Sequence, residues 1–323
     1  MKLVRSLPEN YKSFDRDLFP SLGKEITFNK PEINSYKNVL LSGFNLFSIN
    51  NFQFLNKLSM AIDFNLGTIN FSKQMLSYIF KNKKIRYDSN YIWIINDHCF
   101  NYYHWTAEAL PRLLLLKNNS IYKKVLIPNT WKERDFIFDS LKLLGFTYEL
   151  YNPQFLNFFT QIISPNHLGS TGNFNPNYMN IVRNELKAGN SENKRFWILR
   201  KINQSRYIKN IDNFEKLLKK YNIEKIFSDN LEYYQEIELF SKASFIGGVH
   251  GAGLANMIFM DKNSKVLEVK TKNVEKSNAF YAMADSLGLK YYYFRTNSNE
   301  DDDGLTLDLE QLENELSTVF KQN

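Results

Sequence analysis

The chain is predicted to fold in the α/β class, and three observations carry that expectation. From Tyr91 onwards, short β-branched and aromatic runs alternate with longer amphipathic ones. A polar patch at 188–194 interrupts the alternation, which then restarts, so two domains are expected. A buried-type run leads straight into a glycine-rich turn at Gly247–Gly253, the strand-to-helix junction of open parallel sheets.

In chain order, the first ninety residues show only short strand-like runs at Val39–Leu41 and Leu46–Ile49 and a helical pattern at Ser72–Ile79. Strands are then expected at Tyr91–Ile95, Lys124–Ile127 and Gln161–Ser164. Helical spacing covers Asn101–Leu116, Glu133–Leu144 and Tyr178–Lys187. Beyond the polar patch, strands are expected at Arg195–Leu199, Ile223–Phe227, Ala243–Gly247, Lys265–Val269 and Lys290–Phe294. Helices lie between them at Ile211–Lys220, Leu231–Lys242, Ala252–Met260 and Glu275–Ser286, and an amphipathic helix over residues 308–321 closes the chain. The reading is two Rossmann-like domains, residues 1–188 and a more regular 189–323, with the final helix free to return to the first. No repeat of fixed period is present.

Composition narrows the function classes. With 323 residues, 43% hydrophobic and 15% aromatic, there is material for two packed cores, which excludes a disordered chain. Lys+Arg 41 against Asp+Glu 34 leaves +7, a balance suited to anionic ligands without choosing among phosphates, nucleic acid and membrane surface. A single cysteine, Cys99, excludes an internal disulfide framework and fits a reducing cytoplasm. The N-terminus lacks the apolar core of a signal peptide, and no apolar run approaches membrane-spanning length, so membrane contact is expected to be peripheral at most.

Two clusters carry chemistry. Around Phe245–Asn256, the glycines permit close approach, the first amides of the following helix point outward, and its dipole adds positive charge. A diphosphate fits there, with Gly251, Ala252 and Gly253 supplying the turn, Asn256 in the first helical turns and His250 at the mouth. Arg200, at the end of the first strand of the second half, and Arg206 in the following loop supply cations at the same expected sheet edge. Glu268, near the end of the next strand, suits the ribose hydroxyls. In the first half, His104, Glu108 and Arg112 stand at i, i+4 and i+8 on an otherwise apolar helix, which Pro111 should bend or end. Either His104, oriented by Glu108, or Glu108 itself serves as a general base in this reading. These two side chains alone do not make a metal site, and no acidic cluster completes one; Glu300–Asp303 reads as a solvated loop.

Three ordered motifs resemble glycosyltransferase family 61: Asn101–Leu113 (N-Y-x-H-W-x-x-E-x-L-P-R-L), Arg200 with Arg206-x-Ile-x-Asn210, and Ala243–Met260 with the following Val-Leu-Glu. The chain departs from the family pattern at Gly248-Val249 and at the transposed Gln235-Glu236. The resemblance spans about residues 91–294. It implies a GT-B-like pair of Rossmann domains with a cleft between them, an inverting mechanism, a nucleotide-sugar donor and no required metal or cofactor. The acceptor would be a glycan or lipid-linked glycan in bacterial capsule or lipopolysaccharide synthesis, with Arg112 and Asn210 in supporting roles. Two rival readings remain: an NAD(P)-dependent oxidoreductase, against which Asn256 replaces the third fingerprint glycine, and a non-catalytic nucleotide- or nucleic-acid-binding protein. The scattered basic residues speak against nucleic acid.

Overall fold

The computed structural model of the chain describes residues 1–55, 58, 84–118, 123–202, 204–296 and 304–321. The helical pattern at Ser72–Ile79 and the acidic loop Glu300–Asp303 lie outside them. Contacts divide the chain into two compact units: Met1 with Phe28–Thr171, and Lys2–Thr27 with Gly172–Asn323. The division thus falls at 171/172, where 188/189 was expected. The helix Pro176–Leu186 belongs to the second unit because its buried Arg183 donates to the carbonyls of Ile258 (3.4 Å) and Leu287 (2.8 Å).

The N-terminal segment, read as part of the first domain, also joins the second unit. It carries β1 (Lys2–Val4) and β2 (Glu25–Thr27), an antiparallel pair. Buried Arg5 donates to Asp285 (3.2 Å), and buried Asp15 accepts from the Tyr293 hydroxyl (2.6 Å) and from Arg295 (3.0 Å). Charges withdrawn from water this far need such partners, which lie far away in sequence.

The first unit holds one sheet of β3 (Ile33–Ser42), β4 (Asn45–Ser48), β5 (Gln53–Phe54), β6 (Lys84–Ile92), β7 (Lys124–Pro128), β8 (Thr147–Tyr151) and β9 (Leu156–Pro165). Their order is β5-β4-β3-β9-β6-β7-β8. The half β9-β6-β7-β8 is parallel, as a Rossmann-like reading requires, with the helical stretch 102–114 and the helix Asp135–Leu143 between its strands. The other half is antiparallel. This unit is therefore mixed α/β rather than a plain Rossmann-like domain. Strand β8 went unread in the sequence: it is an edge strand with exposed Thr147, Tyr148 and Leu150, and its pattern is correspondingly weak.

In the second unit β10 (Lys194–Ile198), β11 (Glu224–Ile226), β12 (Ala243–Val249), β13 (Lys265–Lys270) and β14 (Lys290–Arg295) form a wholly parallel sheet. Its order, β11-β10-β12-β13-β14, is that of a doubly wound sheet, and the strand order reverses between β10 and β12. Trp197, Phe214, Phe245, Leu267 and Tyr292 build the core. The final helix Leu309–Lys321 inserts Leu312, Leu316 and Val319 into that same core, so it closes the second unit instead of returning to the first. Among the described residues no helix is long and apolar enough to cross a membrane.

Candidate active site

The reversal between β10 and β12 is where a doubly wound sheet opens a crevice at its strand ends. Arg200 leaves β10 there and His250-Gly251 leaves β12. Arg200 Nη2 reaches the His250 carbonyl at 3.4 Å and Arg206 Nη1 reaches the same oxygen at 2.5 Å. Two guanidinium groups thus converge on one acceptor, which concentrates positive charge beside the turn. Arg206 takes φ 66°, a left-handed conformation seldom adopted by a residue with a side chain.

Glycine at 251 makes this approach possible. A Cβ there would stand 2.0 Å from Arg200 Nη2, and one at Gly253 would stand 3.1 Å from the Ile198 side chain. The helix that follows, Ala252–Phe259, is 3₁₀ rather than α. The amides of its opening residues, Ala252 and Gly253, have no intrahelical carbonyl to bond by virtue of position. The site residues Arg200, Arg206, His250, Gly251, Ala252 and Gly253 are therefore assembled at one strand-end cradle, as their sequence positions suggested.

Glu268 is different. It is fully buried; Oε1 meets His250 Nδ1 at 2.5 Å, and Oε2 accepts from the Tyr291 hydroxyl at 2.5 Å. Burial pushes its carboxyl up, yet the Lys270 ammonium, the His250 imidazole and both hydrogen bonds outweigh burial and hold it below the ordinary 4.5. Neither oxygen is presented to a ribose. Glu268 acts on His250 instead, fixing its ring and leaving Nε2 as the free nitrogen. The oxidoreductase reading loses its ribose ligand by the same geometry. No sequence pattern announced Tyr291, which reaches Glu268 across the β13–β14 pairing.

Asn256, expected at the ligand, is fully buried and donates to Glu236 Oε1 at 3.2 Å, tying the 3₁₀ helix to the helix Tyr233–Ser241. Gln235 closes a capping box with Glu232 at the start of that helix. Asn210 supports from outside: its amide exchanges hydrogen bonds with Leu307 (2.9 and 3.1 Å), anchoring the C-terminal segment beside the loop that carries Arg206.

In the first unit, Asn101 caps the helical stretch through Tyr103 N–H (3.0 Å). The helix does not end at Pro111. It widens into a π turn over Trp105–Ala109, in which Leu110 N–H reaches back to the Trp105 carbonyl, and continues to Leu114. The wider turn accommodates the proline's missing donor. His104 Nδ1 lies 3.0 Å from Glu108 Oε2; the His104 side chain is 23% exposed and that of Glu108 only 9%. Glu108 Oε1 is buried with no hydrogen-bond partner.

The Arg112 side chain turns in against the strand ends. Fully enclosed, it donates to the carbonyls of Ile94 (2.7 Å), Pro165 (2.8 and 3.1 Å) and Leu58 (3.2 Å). Burial pulls its guanidinium down to about 10. Its role is to hold the helix to the sheet. Burial likewise pushes the Cys99 thiol up to about 12, which removes it as a nucleophile. Among the described residues no group of three or more His, Cys, Asp or Glu is placed to hold a metal ion.

A family model described as Glycosyltransferase 61 matches residues 102–267, just over half of the chain. The protein is accordingly an enzyme, a glycosyltransferase. The matched segment runs from the first residue of the His104 helix to the residue before Glu268, and so includes both the His104–Glu108 pair and the arginines beside Gly251. The chain belongs to glycosyltransferase family 61. No curated protein matches it.

Proposed function

We propose that the chain is an inverting glycosyltransferase that moves a sugar from a nucleoside diphosphate, with uridine the first choice of nucleoside, to a hydroxyl of a glycan or lipid-linked glycan. The observation that carries this reading is the convergence of Arg200 and Arg206 on the His250 carbonyl beside Gly251. A cradle of two guanidinium groups and helix-start amides matches a leaving diphosphate, whose charge grows as the bond to the sugar breaks.

In this reading the acceptor hydroxyl loses its proton to His104 Nε2 while Glu108 holds Nδ1. The pairing and the greater exposure of the imidazole favour His104 over Glu108 as the base. The acceptor oxygen bonds to the anomeric carbon from the face opposite the diphosphate, the old C–O bond breaks, and its electron pair leaves with the phosphate. Arg200, Arg206 and the amides of Ala252 and Gly253 stabilise that oxygen, and His250 Nε2, oriented through Glu268, donates to it when protonated. No metal or organic cofactor enters this mechanism. A GT-B-like pairing, with donor and acceptor handled by different units of the chain, belongs to the same proposal. So do a cytoplasmic setting, peripheral contact with the inner membrane, and a place in capsule or lipopolysaccharide synthesis, which rests on the resemblance.

The test is nucleotide release from uridine-, guanosine- and cytidine-linked sugars, with and without a glycan array, alongside NAD(H) titration. Sugar-dependent release with inverted product configuration supports the proposal. Retained configuration, or binding of NAD(H) with no release from any donor, overturns it.

A further inference from the structure

Beside His104, on the first unit, lies a cluster that the mechanism above does not use. Phe100 is 43% exposed and sits in the turn before the helix, where Asn101 N–H donates to the His98 carbonyl at 2.9 Å. Its ring centroid is 6.4 Å from that of Trp131, which follows β7 and is 7% exposed. Trp131 in turn meets Phe44 at 5.6 Å. The Arg134 guanidinium stands 5.8 Å from the Phe100 ring centroid. Exposed His98 lies ring to ring with His104 at 5.3 Å, and Asp97 is beside it.

A single exposed aromatic ring needs no explanation. Phe100 is not single: Trp131 and Phe44 support it from within the unit, so its outer face is presented with little rotamer freedom left to lose on binding. The Arg134 guanidinium faces the ring, and the carboxylate of Asp97 and the imidazole of His98 precede it in the same turn. A pyranose matches the combination, because its axial C–H groups form an apolar face while its hydroxyls point outward to polar partners. A lipid surface would need a continuous apolar area, which these charged groups interrupt. The cluster also lies at the C-terminal ends of β6 and β7, the ligand-bearing edge of the parallel half of the sheet.

We propose that Phe100, backed by Trp131 and Phe44, faced by Arg134 and preceded in its turn by Asp97 and His98, is an acceptor subsite that stacks one pyranose ring next to His104. This rests on the reading of His104 as the base that receives the acceptor proton.

The test is saturation-transfer NMR on the full chain with methyl β-D-glucopyranoside, methyl β-D-galactopyranoside and methyl β-D-xylopyranoside. It is run on the native chain, Phe100→Ala and Phe100→Trp, with thermal melts to verify folding. At least one glycoside should show transfer concentrated on the C–H protons of one ring face. Phe100→Ala should weaken its binding about tenfold and Phe100→Trp should retain it. In turnover, the acceptor KM should rise by about the same factor in Phe100→Ala while the donor KM stays constant. Equal binding by the native chain and Phe100→Ala, or no binding of any glycoside by the native chain, overturns the subsite. Because binding is read without turnover, absence of sugar transfer would count against the proposed reaction and not against the subsite.

Discussion

Arg200 and Gly251 occupy adjoining halves of one volume: a Cβ on Gly251 would lie 2.0 Å from Arg200 Nη2 and 3.2 Å from its Cζ. The atoms displaced belong to the far end of a flexible side chain. Gly251→Ala should therefore push the guanidinium out of the cradle while leaving the fold nearly intact, with stability changed by less than about 0.5 kcal/mol. Turnover should fall by about 10²–10³, the effect of losing one donor to a developing charge. Arg200→Ala should reproduce both results. Gly247→Ala is the contrast, because its Cβ would stand 2.3 Å from the Trp197 ring in the core. That substitution should cost about 3 kcal/mol. Denaturant midpoints and nucleotide release separate the pair; equal loss of stability in Gly251→Ala and Gly247→Ala would remove the cradle argument.

The His250–Glu268–Tyr291 chain yields a pH prediction. The folded-state carboxyl of Glu268 lies below its ordinary 4.5, so the group stabilises the fold above that value, and the contribution is lost as pH falls through the lower folded value. The stability difference between the native chain and Glu268→Gln should be greatest above about pH 5 and shrink progressively below about pH 4.5. Melting curves from pH 7 to 3 read it. A difference that stays constant over that range would mean the carboxylate charge is irrelevant and only its shape matters.

His104→Ala should abolish sugar transfer while nucleoside diphosphate binding survives, because the imidazole sits in the first unit and the arginine cradle in the second. Glu108→Gln keeps a hydrogen-bond acceptor for His104 Nδ1 but removes the charge that stabilises the imidazolium, so a partial loss of about 10²-fold in turnover is expected. Single-turnover rates with a saturating donor make the comparison. Full transfer by both variants would dismiss the pair as the base.

How much of this was legible beforehand differs between the units. The doubly wound second unit was readable because β12, β13 and β14 are buried along most of their length and so appear as apolar runs closed by a turn; Ile211–Lys220 was delimited to the residue. The convergence of Arg200 and Arg206 beside Gly251 was readable because glycine and arginine at strand ends have few structural substitutes. Glu268 and Asn256 misled for one reason: a polar residue near a strand end or helix start looks the same whether it faces a ligand or a buried partner. Only packing against Tyr291, His250 and Glu236 decides. Arg112 misled because spacing along a helix says which face a residue leaves from, while its long side chain can still turn in to buried carbonyls. The N-terminal segment was opaque because Asp15 and Arg5 find their partners about 280 residues away.

Arg112 itself supplies the last test. A guanidinium donating in several directions to the carbonyls of Leu58, Ile94 and Pro165 has no replacement, since an ammonium cannot span them in that fixed geometry. Arg112→Lys should leave buried carbonyls unmet and cost about 2–4 kcal/mol. That loss should appear as earlier melting and faster proteolysis of segments between Phe28 and Thr171, where all of these partners lie. Nucleoside diphosphate affinity, set by residues of the second unit, should change by less than about twofold, within the spread of a distant substitution. A variant that melts like the native chain but fails in transfer would instead make Arg112 part of the chemistry, in direct contact with substrate.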